Sequence, residues 1–148
     1  MIKVGIIGCG AIGTLIAEAV EEQIVECDEL ILYDWDVEKA ERLQESLSRT
    51  ASVVVANVDE MLELRPAVVV EAASQQAALE YVRTIVDRKI EVIVMSVGAL
   101  LDSRLKNSRI HTPSGAIGGL DALSSAALGG IDEVVLTTRK NPNTGHGQ

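Results

Sequence analysis

The run Ile2–Ile7 breaks at once into Gly8-Cys9-Gly10-Ala11-Ile12-Gly13, and an acid, Asp34, stands twenty-one residues beyond the last of those glycines. Few patterns leave a chain less freedom. A β-rich run that meets Gly-x-Gly-x-x-Gly and then an amphipathic segment must turn sharply from a strand into a helix. Each glycine has its own task. Gly8 lets the chain leave the strand in a tight turn. Gly10, with no Cβ, lets the backbone approach a pyrophosphate. Gly13 lets the helix pack close to the strand. The unpaired N–H groups and positive end of that helix, with Ala11 and Ile12 in its first turn, then face the anion. Asp34 sits where a ribose diol would be bound, although an acid there could also serve only as a loop or capping residue. The glycines alone are a weak signal. Strand, glycines, helix and acid at this spacing make a strong one, and they predict a Rossmann-type dinucleotide-binding domain.

The rest of the chain follows the same rhythm. Strands are predicted at Leu30–Tyr33, Ser52–Ala56, Ala67–Ala72 and Glu91–Ser96, with helices between them. The first helix carries Ile12, Leu15, Ile16, Ala19 and Val20 on one stripe, read here as its buried face. Asp36 can cap a helix to about Ser48, with Ala40, Leu43 and Leu47 inward. Asn57 and Glu60 fit a capping box for a short helix that Pro66 stops. Ser74 can cap a helix to about Lys89, with Ala78, Tyr81, Val82, Ile85 and Val86 inward. Strands alternating with helices predict a doubly wound parallel sheet in the order 3-2-1-4-5-6, with a ligand across the switch point at the strands' carboxyl ends. Three segments should meet there: Gly8–Gly13, Ala72-Ala73-Ser74 and Ser96-Val97-Gly98. Their small residues leave room for a flat cofactor, so Ala73, Ser74, Ser96 and Gly98 join the candidate contacts. Beyond Gly98 the pattern weakens, with about two helical turns over Ala99–Lys106 and a short sixth strand over Arg109–Thr112. A short helix through Ala127, strand character over Glu133–Thr138 and a polar, mobile tail from Asn141 complete the reading.

Composition narrows the function. The 148 residues are 47% hydrophobic yet only 2% aromatic, with no Phe, so the core must be built from Val, Ile, Leu and Ala. Such runs suit strands buried on both faces. The net charge of −9 comes with no basic block and no aromatic platform, which argues against nucleic acid as a partner. No run reaches the length of a membrane span, and four glycines and Glu18 interrupt the one stretch, Ile2–Val20, that resembles a signal peptide. Cys9 and Cys27 form no CxxC and no metal-ligand pattern, so neither a disulfide framework nor a metal site is expected, and a reducing cytosol suits the chain. Cys9 lies at a helix N-terminus, where a thiolate is favoured, but a small space-filling residue explains it better. With no Arg beside Asp34 to pair with a 2′-phosphate, NAD is expected in preference to NADP.

Ser114-Gly115-Ala116-Ile117-Gly118-Gly119-Leu120-Asp121-Ala122 carries a more specific likeness. With Glu71-Ala72-Ala73-Ser74, Ser96–Ala99 and Thr137-Thr138-Arg139-Lys140, it resembles the L-aspartate dehydrogenases over residues 1 to about 140. The resemblance implies oxidation of L-aspartate to iminoaspartate, which can feed NAD biosynthesis or hydrolyse to oxaloacetate and ammonia, with hydride passed to NAD or NADP. It further implies a homodimer and a nicotinamide-side contact at Ala116. Members of that family continue into a second domain that carries a cofactor-touching asparagine and a catalytic histidine, and nothing here matches either. The expectation is therefore a cofactor domain over residues 1–113, with 114–148 the start of a truncated second domain and a tail. No catalytic residue is assigned. His111 would need a carboxylate to orient it and does not stand at the family's histidine position. Arg139 or Lys140 could hold a substrate carboxylate, but both read better as a solvated strand end. A non-catalytic NAD-binding regulatory module and another amino-acid dehydrogenase of the same fold are the competing expectations.

Overall fold

The computed structural model describes residues 1–101, 105, 107–113, 133–135 and 137. The chain divides into two units, Met1–Gly115 and Ala116–Gln148. The first holds a six-stranded parallel sheet in the order β3-β2-β1-β4-β5-β6. Its strands are β1 (Lys3–Ile7), β2 (Glu29–Tyr33), β3 (Ala51–Val54), β4 (Val68–Glu71), β5 (Glu91–Val94) and β6 (Ile110–His111). Four helices connect them: α1 (Ala11–Glu21), α2 (Val37–Ser46), α3 (Val58–Glu63) and α4 (Gln75–Asp87). The predicted strand order and alternation are thus found, with element ends moved by one or two residues. Of the two helical turns expected over Ala99–Lys106, residues 102–104 and 106 lie outside the described residues, and the described start belongs to a 3₁₀ turn, Val97–Leu101.

Strand residues alternate between two apolar cores. Ile7, Ile31, Val69, Val92 and Val94 pack with α3 and α4 on one face. Val4, Ile6, Leu30, Leu32 and Val70 pack with α1 and α2 on the other. Covering both faces is what lets a sheet this rich in β-branched residues stay buried without aromatic bulk.

The buried face of α1 matches the expected stripe only in part: Val20 is buried and Ile16 packs against the core, but Ile12 and Leu15 do not. Gly13, Ala17 and Val20 point inward, while Ile12 is 45% and Leu15 64% exposed. The reason is steric. A Cβ at Gly13 would lie 1.9 Å from the Gly8 carbonyl oxygen. Burying Ile12 and Leu15 would gain about 1.5–3 kcal/mol each, but turning them inward would push side chains against the glycine turn and lift the helix away. Close approach at Gly13 wins, and the apolar stripe is rotated toward solvent.

Two of the three expected side-chain caps form; Asp36 stands at the N-cap of α2 but its carboxylate accepts no N–H of that helix. The Asn57 side chain accepts the Glu60 N–H at 2.9 Å, and Ser74 Oγ accepts the Ala77 N–H at 3.1 Å. Glu60 does not return its carboxylate to Asn57, as a closed capping box would, but accepts the Ala56 N–H one residue earlier.

Glu21, at the end of α1, clamps the turn before β3. Its carboxylate accepts N–H bonds from Ser48, Arg49 and Thr50 at 2.7–2.9 Å, and the Ser48 hydroxyl donates to it as well. Desolvation pushes this carboxyl up, but the bonds from Ser48, Thr50 and Arg49 outweigh it and hold it down at about 2. A carboxyl lowered from its ordinary 4.5 stabilises the fold above that value, and the contribution is lost as pH falls through about 2. Glu21→Gln should therefore melt below the wild type at pH 7, with the gap narrowing in acid. A gap that stays constant across thermal melts from neutral to acid pH would show that the clamp is not ionic.

Candidate cofactor site

The three predicted segments and Asp34 come together at the carboxyl ends of β1, β2, β4 and β5. Gly8 leaves β1 with φ +96°, a left-handed conformation that favours glycine. Its N–H donates to the Tyr33 carbonyl at 2.8 Å, which ties the turn to the end of β2. A Cβ on Gly8 would come within 2.8 Å of the Ala72 carbonyl carbon and Ala73 Cα. The glycine turn and the turn after β4 are therefore in direct backbone contact.

Gly10 is different. A Cβ there would have no atom of the described residues within 4 Å. Its φ of −82° is open to any residue. Nothing in the packing of the chain itself demands glycine at this position, whereas Gly8 and Gly13 are both demanded. The vacant space lies at the N-terminus of α1, where Gly10 is the capping residue and offers no side chain to the first-turn N–H groups. No acid stands in that first turn either. Elsewhere α2 has Glu38 in its first turn, and α3 and α4 are capped by Asn57 and Ser74. The donors at the start of α1, around Ala11 and Ile12, are thus left for an anion.

Asp34 follows β2 directly. Its Oδ2 accepts the Cys9 N–H at 2.7 Å and its Oδ1 the Asp36 N–H at 2.9 Å. Each carboxylate oxygen has a second acceptor site, so the residue can brace the glycine turn and still receive two hydroxyl donors. Trp35, next along, is 84% exposed, with the Lys39 ammonium 5.9 Å from its ring centre. The same ammonium is 4.0 Å from the Asp36 carboxylate. This lysine, in the first turn of α2, is a cation five residues beyond Asp34 where no arginine stands.

Ala73, Ser74 and Ser96 are organised by a residue that sequence reasoning placed only inside a motif. Glu71, the last residue of β4, is fully buried. Its Oε1 accepts the N–H groups of Ala73 and Ser74, both at 2.9 Å, and the Ser96 hydroxyl at 3.0 Å. Its Oε2 accepts the Ser96 N–H at 3.2 Å. A lone acid closing an otherwise all-valine strand was the available signal. Gly98 lies under the Gln75 side chain, whose Nε2 would be 2.5 Å from a Cβ at that position. Ala116 lies outside the described residues, as do Asp121, Arg139, Lys140 and His146.

Cys9 is buried beneath the turn, and burial first, then the Asp34 charge, push its thiol up to about 12. The thiolate that a helix N-terminus would favour is absent, which suits a space-filling role. His111 does have a carboxylate partner, with Nε2 2.8 Å from Glu91 Oε2. Glu91 also accepts from Arg109, and these two partners hold its carboxyl below the usual range, His111 contributing most. Glu91, however, opens β5 at the end of the sheet opposite the switch-point turns. The pair braces the edge strand and does not face the site. Among the described residues there is no group of three or more His, Cys, Asp and Glu that could hold a metal, and no helix long and apolar enough to cross a membrane.

A parallel sheet in this order, with an open glycine turn beside its switch point, defines a nucleotide-binding domain of the Rossmann class. Residues 8–113 match the family described as the NAD binding domain of homoserine dehydrogenase, and the chain belongs to that family. Among curated proteins it is 40% identical to the L-aspartate dehydrogenase of Methanothermobacter thermautotrophicus, over 97% of this chain and 58% of that one. It is 38% identical to the L-aspartate dehydrogenase of Methanococcoides burtonii, over 99% of this chain and 57% of that one. The chain thus spans less than two thirds of the length of these relatives. Among solved structures, aspartate dehydrogenase from Thermotoga maritima aligns with TM-score 0.53 and 30% identity, covering 84% of this chain and 51% of that one. Myo-inositol dehydrogenase from Lactobacillus casei, solved with NAD(H) and myo-inositol, aligns with TM-score 0.66 over 88% of this chain and 42% of that one. At 20% identity the latter likeness concerns the fold alone.

Proposed function

We propose that this chain is the cofactor-binding half of an NAD-dependent L-aspartate dehydrogenase. The observation that carries the reading is Gly10, a glycine that the chain's own packing does not require, set at an uncapped helix start beside Asp34. A dinucleotide supplies what is missing from each. Its pyrophosphate fits the open space at Gly10 and the N–H groups of Gly10, Ala11 and Ile12, with Gly8 and Gly13 shaping the turn. Its adenosine ribose fits the two free acceptor positions of Asp34. Ala73, Ser74, Ser96 and Gly98 border the nicotinamide side; a contact at Ala116, and the assignment of residues 114–148 to the start of a second domain, rest on the family resemblance alone. Bound here, NAD provides a hydride acceptor; the chain's own part is to bind it, orient it and keep its ribose paired. The substrate assignment to L-aspartate rests on the relatives; a dimeric state is what the family resemblance implies, and a cytosolic setting what the cysteine pattern suits. Asp34, a fixed negative charge, favours NAD over a cofactor with a 2′-phosphate, although Lys39 is close enough to temper that preference.

Calorimetry with NADH is the test. Asp34→Ala should weaken binding by about 1–3 kcal/mol, roughly 5- to 150-fold, because the ribose loses its acceptor and the glycine turn its brace. Unchanged affinity would refute the ribose assignment. Aspartate, homoserine, glutamate and malate, each offered with NAD, then separate the dehydrogenases. NADH formation with aspartate supports the substrate assignment, and formation with another of the four but not with aspartate overturns it; binding without turnover is what a cofactor half lacking the catalytic histidine gives.

A further inference from the structure

Glu71 is the one charged residue of β4, whose other members are Val68, Val69 and Val70, and it has no exposure to water. A carboxylate so placed is costly unless its oxygens are fully bonded. Here they are bonded without a cation: every partner is a neutral donor, and three of the four are main-chain N–H groups. Were β4 built only for stability, an apolar residue would serve as well or better. What the carboxylate adds is geometry. It joins the turn after β4, through Ala73 and Ser74, to the turn after β5, through Ser96. The Ala72–Ala73 backbone of the first turn is in turn packed on Gly8. The glycine turn has supports of its own, since Asp34 holds the Cys9 N–H and the Tyr33 carbonyl holds the Gly8 N–H. Two carboxylates therefore divide the edge of the sheet. Asp34 braces the adenosine side and Glu71 the opposite side.

We infer that Glu71 is the positioning residue of the site's nicotinamide side: its carboxylate fixes the Ala72–Ser74 and Ser96–Gly98 turns at the spacing that admits the second half of the dinucleotide, while the adenosine half is held without it. The inference rests on the dinucleotide reading above and adds a residue and a division of labour to it. Glutamine is the informative replacement. Its carbonyl oxygen can keep the three donors on the Oε1 side, but its amide would then point a donor at the Ser96 N–H, so that the main-chain link to the β5 turn is lost and only the Ser96 hydroxyl still ties it.

The experiment is a pair of titrations, ADP and NADH, on the wild type and on Glu71→Gln. ADP carries only the adenosine and pyrophosphate. ADP affinity should stay within about twofold of wild type, and NADH affinity should fall by about tenfold or more, the effect of leaving buried donors unpaired. A purely structural role would weaken both ligands together. Loss of both alike, or of neither, overturns the role given to Glu71. A wild type that binds neither ligand overturns the dinucleotide reading itself, so the two failures are distinct. Amide hydrogen exchange in the ligand-free wild type decides the matter even if Glu71→Gln does not fold. The amides of Ala73, Ser74 and Ser96 should exchange slowly, and exchange at the rate of surface amides would show that no clamp exists.

Discussion

Gly10→Val should abolish NADH binding while leaving a folded protein. The backbone at Gly10 has φ −82° and ψ −159°, extended values that valine adopts, and no atom of the described residues lies within 4 Å of the added Cβ. The only cost to the free chain is the poorer start of α1. A valine at a helix cap is worth about 1 kcal/mol less than the residues favoured there, which lowers the melting temperature by about 2–4 °C in a domain of this size. The cost to the ligand is far larger. The side chain would fill the space the pyrophosphate needs, and the N–H groups around it could not be reached. Calorimetry should detect no binding at NADH concentrations about 100 times the wild-type Kd, a loss of more than about 2.7 kcal/mol. NADH binding close to that of wild type would remove the anion from this turn and with it the central argument for function.

Gly13→Val should do the reverse: it should ruin the fold before any question of binding arises. The Cβ would fall 1.9 Å from the Gly8 carbonyl oxygen, 3.0 Å from its carbonyl carbon and 3.3 Å from Ile6 Cγ2. Two of those atoms belong to the backbone, which cannot swing aside as a flexible side chain can. Ordinary overpacking costs about 1–3 kcal/mol, and this site should sit at or above the top of that range. Thermal unfolding followed by far-UV circular dichroism should show a fall of about 6 °C or more, or no soluble protein at all. A melting curve matching the wild type would mean that α1 does not meet the glycine turn as described. The two glycines stand three residues apart in one motif, and the same substitution separates their tasks. One serves the ligand and the other the fold.

The strand order, the two-sided core and the caps at Asn57 and Ser74 were legible in the sequence because each depends on local pattern: alternation of elements, β-branched runs, and short polar side chains before a helix. The failures came where a long-range contact overruled the local one. Ile12 and Leu15 depart from the stripe read on α1, which Val20 and Ile16 keep, because hydrophobic spacing carries no knowledge of the Gly8 carbonyl that forces Gly13 inward. Glu71 was passed over as part of a motif because its four donors lie in turns up to twenty-five residues away. Lys39 carries no signal in the sequence, since its place beside Trp35 and Asp36 is set by the start of α2. Asp34 was legible as an acid at the right distance, but its second task, bracing the Cys9 N–H, appears only when β1 and β2 are placed side by side. Ala116 and the domain assignment of residues 114–148 rest on resemblance and on no described geometry.

The chain has one tryptophan and no phenylalanine. That tryptophan, Trp35, stands almost wholly in solvent beside the acid proposed to hold the ribose. The two tyrosines, meanwhile, are packed edge to face with ring centres 6.0 Å apart at the other side of β2's end. An indole already surrounded by water has little further to go when the chain unfolds. Its emission is therefore a poor witness to folding and a good one to whatever settles next to Asp34. Loss of tertiary order will be read in the tyrosine band, and the arrival of a ligand in the tryptophan band, so that two events usually entangled in one optical signal are separated in this molecule by colour.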